Sequence, residues 1–203
     1  TELAAAAWEQ LREIEAAGEF VAAVDAGVIT KLIDATVSTR DDDIAHRRQP
    51  ITGVSSYPNV AEPPPAATTD AFAGVARWAE PFEALRRRVD TGTKDAGARP
   101  AVYLATIGTA AEHGARLAFA ANLYGVAGLD TPRGPVDDYS PDVAPAACVC
   151  ADRKADPAVV DAAVAALQSA GASFVDIAGR DAVVAGGDAL AHLTTVLDRL
   201  EIA

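Results

Sequence analysis

The chain has 203 residues, half of them apolar, with 29 acidic against 17 basic side chains and a formal charge of -12. That suffices for one core of ordinary size plus an appendage. The basic residues gather only at Arg47-Arg48 and Arg86-Arg87-Arg88, too few to line a phosphate groove, so no nucleic-acid partner is expected. No apolar run reaches the length of a membrane span and the first residues lack the order of a signal peptide, so a soluble, cytoplasmic chain with no membrane partner is expected.

Residues 1–18 place Leu3, Ala7, Leu11 and Ile14 on one helical face, with Trp8 beside it and Gly18 as the stop. A short helix or turn follows over residues 20–27, then a helix over 28–48 whose Ile29, Leu32, Ile33 and Thr36 face inward. Pro50 ends it, and ITGVSSY, residues 51–57, reads as a short strand closed by Pro58-Asn59. EPPPAATT, residues 62–69, is an extended proline-rich linker and the expected domain boundary. Residues 71–89 are helical, with Pro81 as a break or a second helix start and Arg86 to Arg88 as a solvated helix end.

The second half reads as strand, turn, helix, strand from its first residues. The apolar run 101–107, bracketed by Pro100 and Gly108, is too short for a helix and does not alternate, as in a parallel strand covered on both faces. Thr109 with Glu112 three residues on forms a capping box, and Leu117, Ala120, Ala121 and Tyr124 give the helix its apolar stripe before Gly128 stops it. Further strands are expected over 146–151, 173–178 and 182–185. Asp156-Pro157 starts a helix buried through Val160, Val164 and Leu167, and Asp188 caps a last one buried through Leu190, Leu193, Leu197 and Leu200. The result is a flavodoxin-like α/β fold with a parallel five-stranded sheet in the order 2-1-3-4-5. Two connections are short for it. Only residues 179–181 separate the last two strands, and 131–145 holds no helical period. Either outer helices have been lost or the sequence omits residues, and the second is favoured because a lost helix would uncover a face of a buried sheet.

In an open α/β sheet, ligands sit at the carboxyl ends of the strands, and the loop after the first strand here leads to His113. A neutral imidazole there can ligate a metal if a carboxylate orients its other nitrogen. Gly186-Gly187 before the last helix is a weaker candidate, since Asp188 at the N-cap repels an anion. His46 and His192 read as solvated, and Cys148 and Cys150 as small buried thiols, because two ligands do not close a metal site. No catalytic residue is singled out: no Ser-His-Asp, paired-carboxylate or phosphate-loop constellation appears.

With these residues in place, AEHGARLAFAANLYGVAGLD resembles the C-terminal, cobalamin-type domain of the methylmalonyl-CoA mutase family, most of all the small, non-catalytic subunit of its bacterial heterodimers. RWAEPFEALRRR followed by GARP resembles the family's inter-domain segment, and AWEQLREIEAAGEFVAAVDAGVI with RRQPITGVSSYPN resembles the last part of the mutase barrel. The resemblance implies residues 1–61 as helices and a strand from the end of a (β/α)₈ barrel, 62–98 as linker and inter-domain helices, and 99–203 as a degenerate cobalamin-binding-like domain. A whole barrel takes about 250 residues, so these cannot close one. Cobalamin-binding members carry Asp-x-His-x-x-Gly; laid on His113, the pattern puts Ala111 at the Asp and Arg116 at the Gly. The family also has a helix between an AGR-like and a GGDAL-like segment, and this chain has both flanks without it. The resemblance therefore implies a structural partner of a large catalytic subunit, which carries the adenosylcobalamin and interconverts methylmalonyl-CoA and succinyl-CoA, while this chain binds no cofactor and no metal. The alternative is a working cobalamin or small-ligand domain that uses His113.

Overall fold

The computed structural model describes residues 1–62, 75–180 and 183–202, and the chain forms two compact units, Thr1–Asp43 and Ile44–Ala203. The linker residues 63–69, the start of the expected helix at 71–74, and residue 182 of the expected fifth strand lie outside the described residues.

The first unit is helical: α1 (Glu2–Ala16), α2 (Glu19–Asp25) and most of α3 (Val28–Ala45). Gly18, left-handed at φ 96°, makes the turn between α1 and α2, which pack on each other. The helices lie where periodicity places them, but their apolar stripes are not covered. Leu3 is 82% exposed and Trp8 60%, and Leu11, Ile33 and Thr36 are exposed too, while Ile14, Ile29 and Leu32 are half-buried. The inward face expected of them is corrected for a simple reason: three helices give no second layer against which every stripe can be buried.

The second unit opens with a loop instead of a strand. Thr52 and Ser56 make one isolated bridge around a turn in which Gly53 is left-handed at φ 83°, and Ser55 is buried, its hydroxyl accepting from the Ile51 N–H at 2.9 Å. A strand needs a neighbour to satisfy its backbone groups, and among the described residues no sheet partner stands beside this segment. After it, α4 (Glu80–Ala96) begins with Pro81 in its first turn, so Pro81 is a helix start. Arg86 and Arg88 are not a solvated end. Arg86 donates to the Val60 carbonyl at 2.8 Å and pairs with Asp90, and Arg88 donates to Asp198 at 2.7 Å and to the Ile202 carbonyl at 2.6 Å.

The sheet is parallel, in the order β2-β1-β3-β4, from β1 (Val102–Thr106), β2 (Arg133–Pro135), β3 (Ala146–Cys150) and β4 (Val175–Ile177). Strands form at the expected places in 101–107, 146–151 and 173–178, and the order agrees, but the second strand lies at Arg133–Pro135, past the expected end at Asp130, which makes only an isolated bridge to Ala101. The fifth does not form in its described part, where residues 183–185 make bends and a turn. A three-residue connection cannot carry the crossover that a parallel neighbour requires. One face packs on α4, α5 (Ala110–Val126) and α7 (Ala189–Arg199) through Leu104, Cys148, Phe82, Leu123 and Leu197. Each of the fully buried leucines contributes about 1.5 to 3 kcal/mol. The other face packs on α6 (Pro157–Ser169) through Ala105, Val149, Val160 and Leu167.

The short connection between β2 and β3 does not uncover that second face. A 3-10 turn (Val136–Asp138) brings Tyr139 edge-on to Tyr103, ring centroids 5.5 Å apart. Tyr139 donates to the Ala144 carbonyl at 3.0 Å, and Tyr103 to the Pro135 carbonyl at 2.9 Å. Two aromatic rings with satisfied hydroxyls do the covering here that a helix does elsewhere.

Candidate functional site

The carboxyl ends of β1, β3 and β4 converge on the first turns of α5. Gly108, left-handed at φ 81°, turns the chain out of β1, and the Glu112 carboxylate accepts from the Thr109 N–H at 2.7 Å and from its hydroxyl at 2.8 Å. This capping box holds the Glu112 carboxyl below its usual range, chiefly through the backbone N–H of Thr109. It also commits to Thr109 the acid next to His113.

His113 lies half-buried on the second turn of α5, and its Nδ1 is buried with no hydrogen-bond partner among the described residues. A metal-bound imidazole needs its other nitrogen held by an acceptor. Ala111 offers none. Three residues further along the same helical face, the Arg116 guanidinium donates to the Ala178 carbonyl, immediately beyond β4. It occupies the place that a Cβ on Gly179 would take. With Arg116 laid across the segment after β4 and no acceptor on His113 Nδ1 among the described residues, these residues do not fit a cobalt ligand loop with room for a cofactor tail. Among the described residues there is also no group of three or more His, Cys, Asp or Glu side chains able to hold a metal ion.

Gly186 and Gly187 lie elsewhere. They line a separate cavity with His46, Arg47, Phe119 and Leu123, and His113 does not line it. At its edge the Asp188 carboxylate accepts from the Ala191 N–H at 2.9 Å, so an anion already caps α7. Of the three weak candidates named by the sequence, the structure thus keeps Gly186 and Gly187 together and places His113 apart from them.

What sequence reasoning missed is a polar cluster beneath the crevice. Tyr124 on α5 donates to Asp176 on β4 at 2.7 Å, and His192 Nε2 on α7 lies 3.4 Å from the same carboxylate oxygen. That second distance is an ion-pair separation without hydrogen-bond geometry, and Nε2 is otherwise unpartnered. The His192 side chain is only 8% exposed, which corrects its reading as solvated. Burial, followed by the nearby Cys148 and Asp176, pushes the Tyr124 phenol well above its ordinary value. Cys148, in register with Asp176 on the neighbouring strand, is raised as well, first by its hydrogen bond with Cys150 and then by burial. Both cysteines are buried free thiols, as expected. The available signal was Asp176 itself, a carboxylate inside the apolar run SFVDIA that required a donor.

Comparison with known proteins adds the following. A family model described as methylmalonyl-CoA mutase matches residues 1–121. The chain is 40% identical to the methylmalonyl-CoA mutase small subunit of Streptomyces virginiae, over an aligned length of 223 that takes in all of this chain and 36% of that protein. It is 45% identical over 130 residues to the probable methylmalonyl-CoA mutase small subunit of Mycobacterium tuberculosis (strain ATCC 25618 / H37Rv), covering 63% of this chain and 20% of the relative. With the methylmalonyl-CoA mutase small subunit of Propionibacterium freudenreichii subsp. shermanii it shares 36% identity over 135 residues, 64% of this chain and 21% of the relative. The chain thus spans 36% or less of the length of these curated relatives.

Proposed function

Because the chain belongs to the methylmalonyl-CoA mutase family, we propose that it acts as the C-terminal portion of a mutase small subunit, a cytoplasmic structural partner of a large catalytic subunit in a heterodimer. The large subunit holds the adenosylcobalamin and interconverts methylmalonyl-CoA and succinyl-CoA. This chain contributes a folded, cofactor-free domain and helices with uncovered apolar faces. The observation that carries the reading is the identity to a small subunit over the whole chain, 40%. The crevice agrees with it, since the Arg116 guanidinium lies where a Cβ on Gly179 would fall and, among the described residues, no acid holds His113 Nδ1.

The alternative, a working cobalamin domain built on His113, has only the orphaned Nδ1 in its favour. An imidazole without an acceptor on its far nitrogen is a poor cobalt ligand; loss of such a partner alone weakens a metal site by about 10- to 100-fold.

The test is co-expression of the tagged chain with the large subunit of the same organism, followed by sedimentation and corrin absorption. The expected result is a stable 1:1 complex whose corrin belongs to the large subunit, with the isolated chain leaving the spectrum of added cobalamin unchanged. Failure to co-purify would remove the partner assignment. A saturable spectral shift on the isolated chain, abolished by His113→Ala, would restore the alternative.

A further inference from the structure

We propose that Arg116 is an internal plug: by docking on the Ala178 carbonyl and filling the space above Gly179, its guanidinium keeps the carboxyl-end crevice shut and holds residues 178–180 and 183–187 in place without a ligand. The inference concerns this crevice alone and does not depend on which partner the chain takes.

The geometry has three parts. Arg116 sits on the second turn of α5, whereas Ala178 and Gly179 follow β4, with β3 lying between β1 and β4 in the sheet; the side chain therefore bridges elements that are not adjacent. Among the described residues, the segment it reaches is held by Ala178 N–H to the Val149 carbonyl at 2.9 Å, Gly179 N–H to the Val183 carbonyl, Arg180 N–H to the Ile177 carbonyl at 3.1 Å, Val183 N–H to the Arg180 carbonyl at 3.0 Å, Gly187 N–H to the Val184 carbonyl at 3.0 Å, and an Arg180–Asp161 ion pair at 3.8 Å. Among the described residues the sheet ends at β4, so no neighbouring strand backs it there. Finally, Gly179 is left-handed at φ 87°, and a Cβ there would fall on the guanidinium, so the backbone and the arginine fit each other as ligand and cradle would. A charged donor on a part-buried carbonyl is worth more than a neutral one, and removing it leaves the acceptor unmet in a confined space.

The plug predicts a vacancy of known shape. Hydrogen exchange should be followed on the full chain as wild type, Arg116→Ala and Arg116→Lys, with and without methylguanidinium at millimolar concentration. In Arg116→Ala, the amides of Gly179, Arg180 and residues 183–187 should exchange about tenfold faster or more, while those of β1 and β3 stay protected. Methylguanidinium should reverse this saturably, sodium chloride at equal ionic strength should not, and wild type should respond to neither. Arg116→Lys, with a single point donor, should fall between the two. A Gly179→Ala variant should lose more protection in the wild-type background than in Arg116→Ala, since part of its cost is collision with the guanidinium. Unchanged exchange in Arg116→Ala, an equal methylguanidinium effect on wild type, or an Arg116→Ala chain that unfolds and is not restored by methylguanidinium would each overturn the proposal.

Discussion

The Tyr124 hydroxyl donates to the Asp176 carboxylate at 2.7 Å, so that α5 and β4 are joined by a hydrogen bond inside a largely apolar layer. Such a bond is worth about 1.5 to 3 kcal/mol when the acceptor is ionised. Tyr124→Phe keeps the ring and removes the donor, and a loss of stability in that range is expected in urea titrations. Asp176→Asn should cost comparably, and the double variant should cost less than the sum, because each single change already breaks the shared bond.

The same cluster sets an alkaline dependence. Tyr124 is held protonated, well above its ordinary 10.0, and Cys148 well above 9.0. A group whose folded value is raised contributes stability that is fully present below its unfolded value and is lost as pH rises toward the folded one. Stability should therefore decline above about pH 9 as unfolded-state thiolate becomes available, and more steeply above about 10. Cys148→Ala should flatten the first part of this slope and Tyr124→Phe the second, read as differences from wild type in chemical unfolding from pH 8 to 11. Parallel curves for all three proteins would refute the assignment.

Asp90 is shared by two arginines, Arg86 at 3.3 Å and Arg99 at 3.0 Å, with all three side chains 20% exposed or less. Asp90→Ala leaves two part-buried cations facing each other and should destabilise the chain by about 2 to 3 kcal/mol, near the lower end of what breaking a buried pair costs. Arg87, paired with Glu80 and 57% exposed, is the control. Arg87→Ala should change thermal stability by less than about 0.5 kcal/mol.

Leu3, Trp8, Phe20 and Val21 are each at least 60% exposed on the first unit. Exposed apolar side chains of this size favour association. The chain alone should self-associate in light scattering, and the triple variant Leu3→Lys, Phe20→Lys, Val21→Lys should reduce that association without lowering the unfolding temperature of the sheet-containing unit. In the proposed heterodimer, the same variant shows whether this face meets the large subunit: a weakened complex would assign it there, an unchanged one would not.

Much of this protein was decided locally, and that part was legible. A run of apolar residues between Pro100 and Gly108 has no stable alternative to a buried strand, and Thr109-x-x-Glu112 and Asp156-Pro157 fix helix starts through bonds made within one turn. The order of four strands followed from the handedness of crossovers, which needs only lengths and sequence. The departures Ala111 and Arg116 were visible as letters, too.

Tertiary structure decided what those letters do. Whether the stripes of α1 and α3 are covered depends on a layer that no periodicity encodes, and ITGVSSY failed to become a strand because pairing requires a neighbour. The fate of residues 183–185 turned on the length of a connection, not on their own β propensity. Above all, Arg116 meets Ala178 across 62 residues, and Tyr124, Asp176 and His192 converge from three elements. A sequence read alone determines where the helices capped within one turn begin and which of their faces are apolar, because those follow from bonds between neighbours. Only the fold decides which side chain fills a crevice, because that depends on distances between residues whose separation along the chain carries no information about their separation in space.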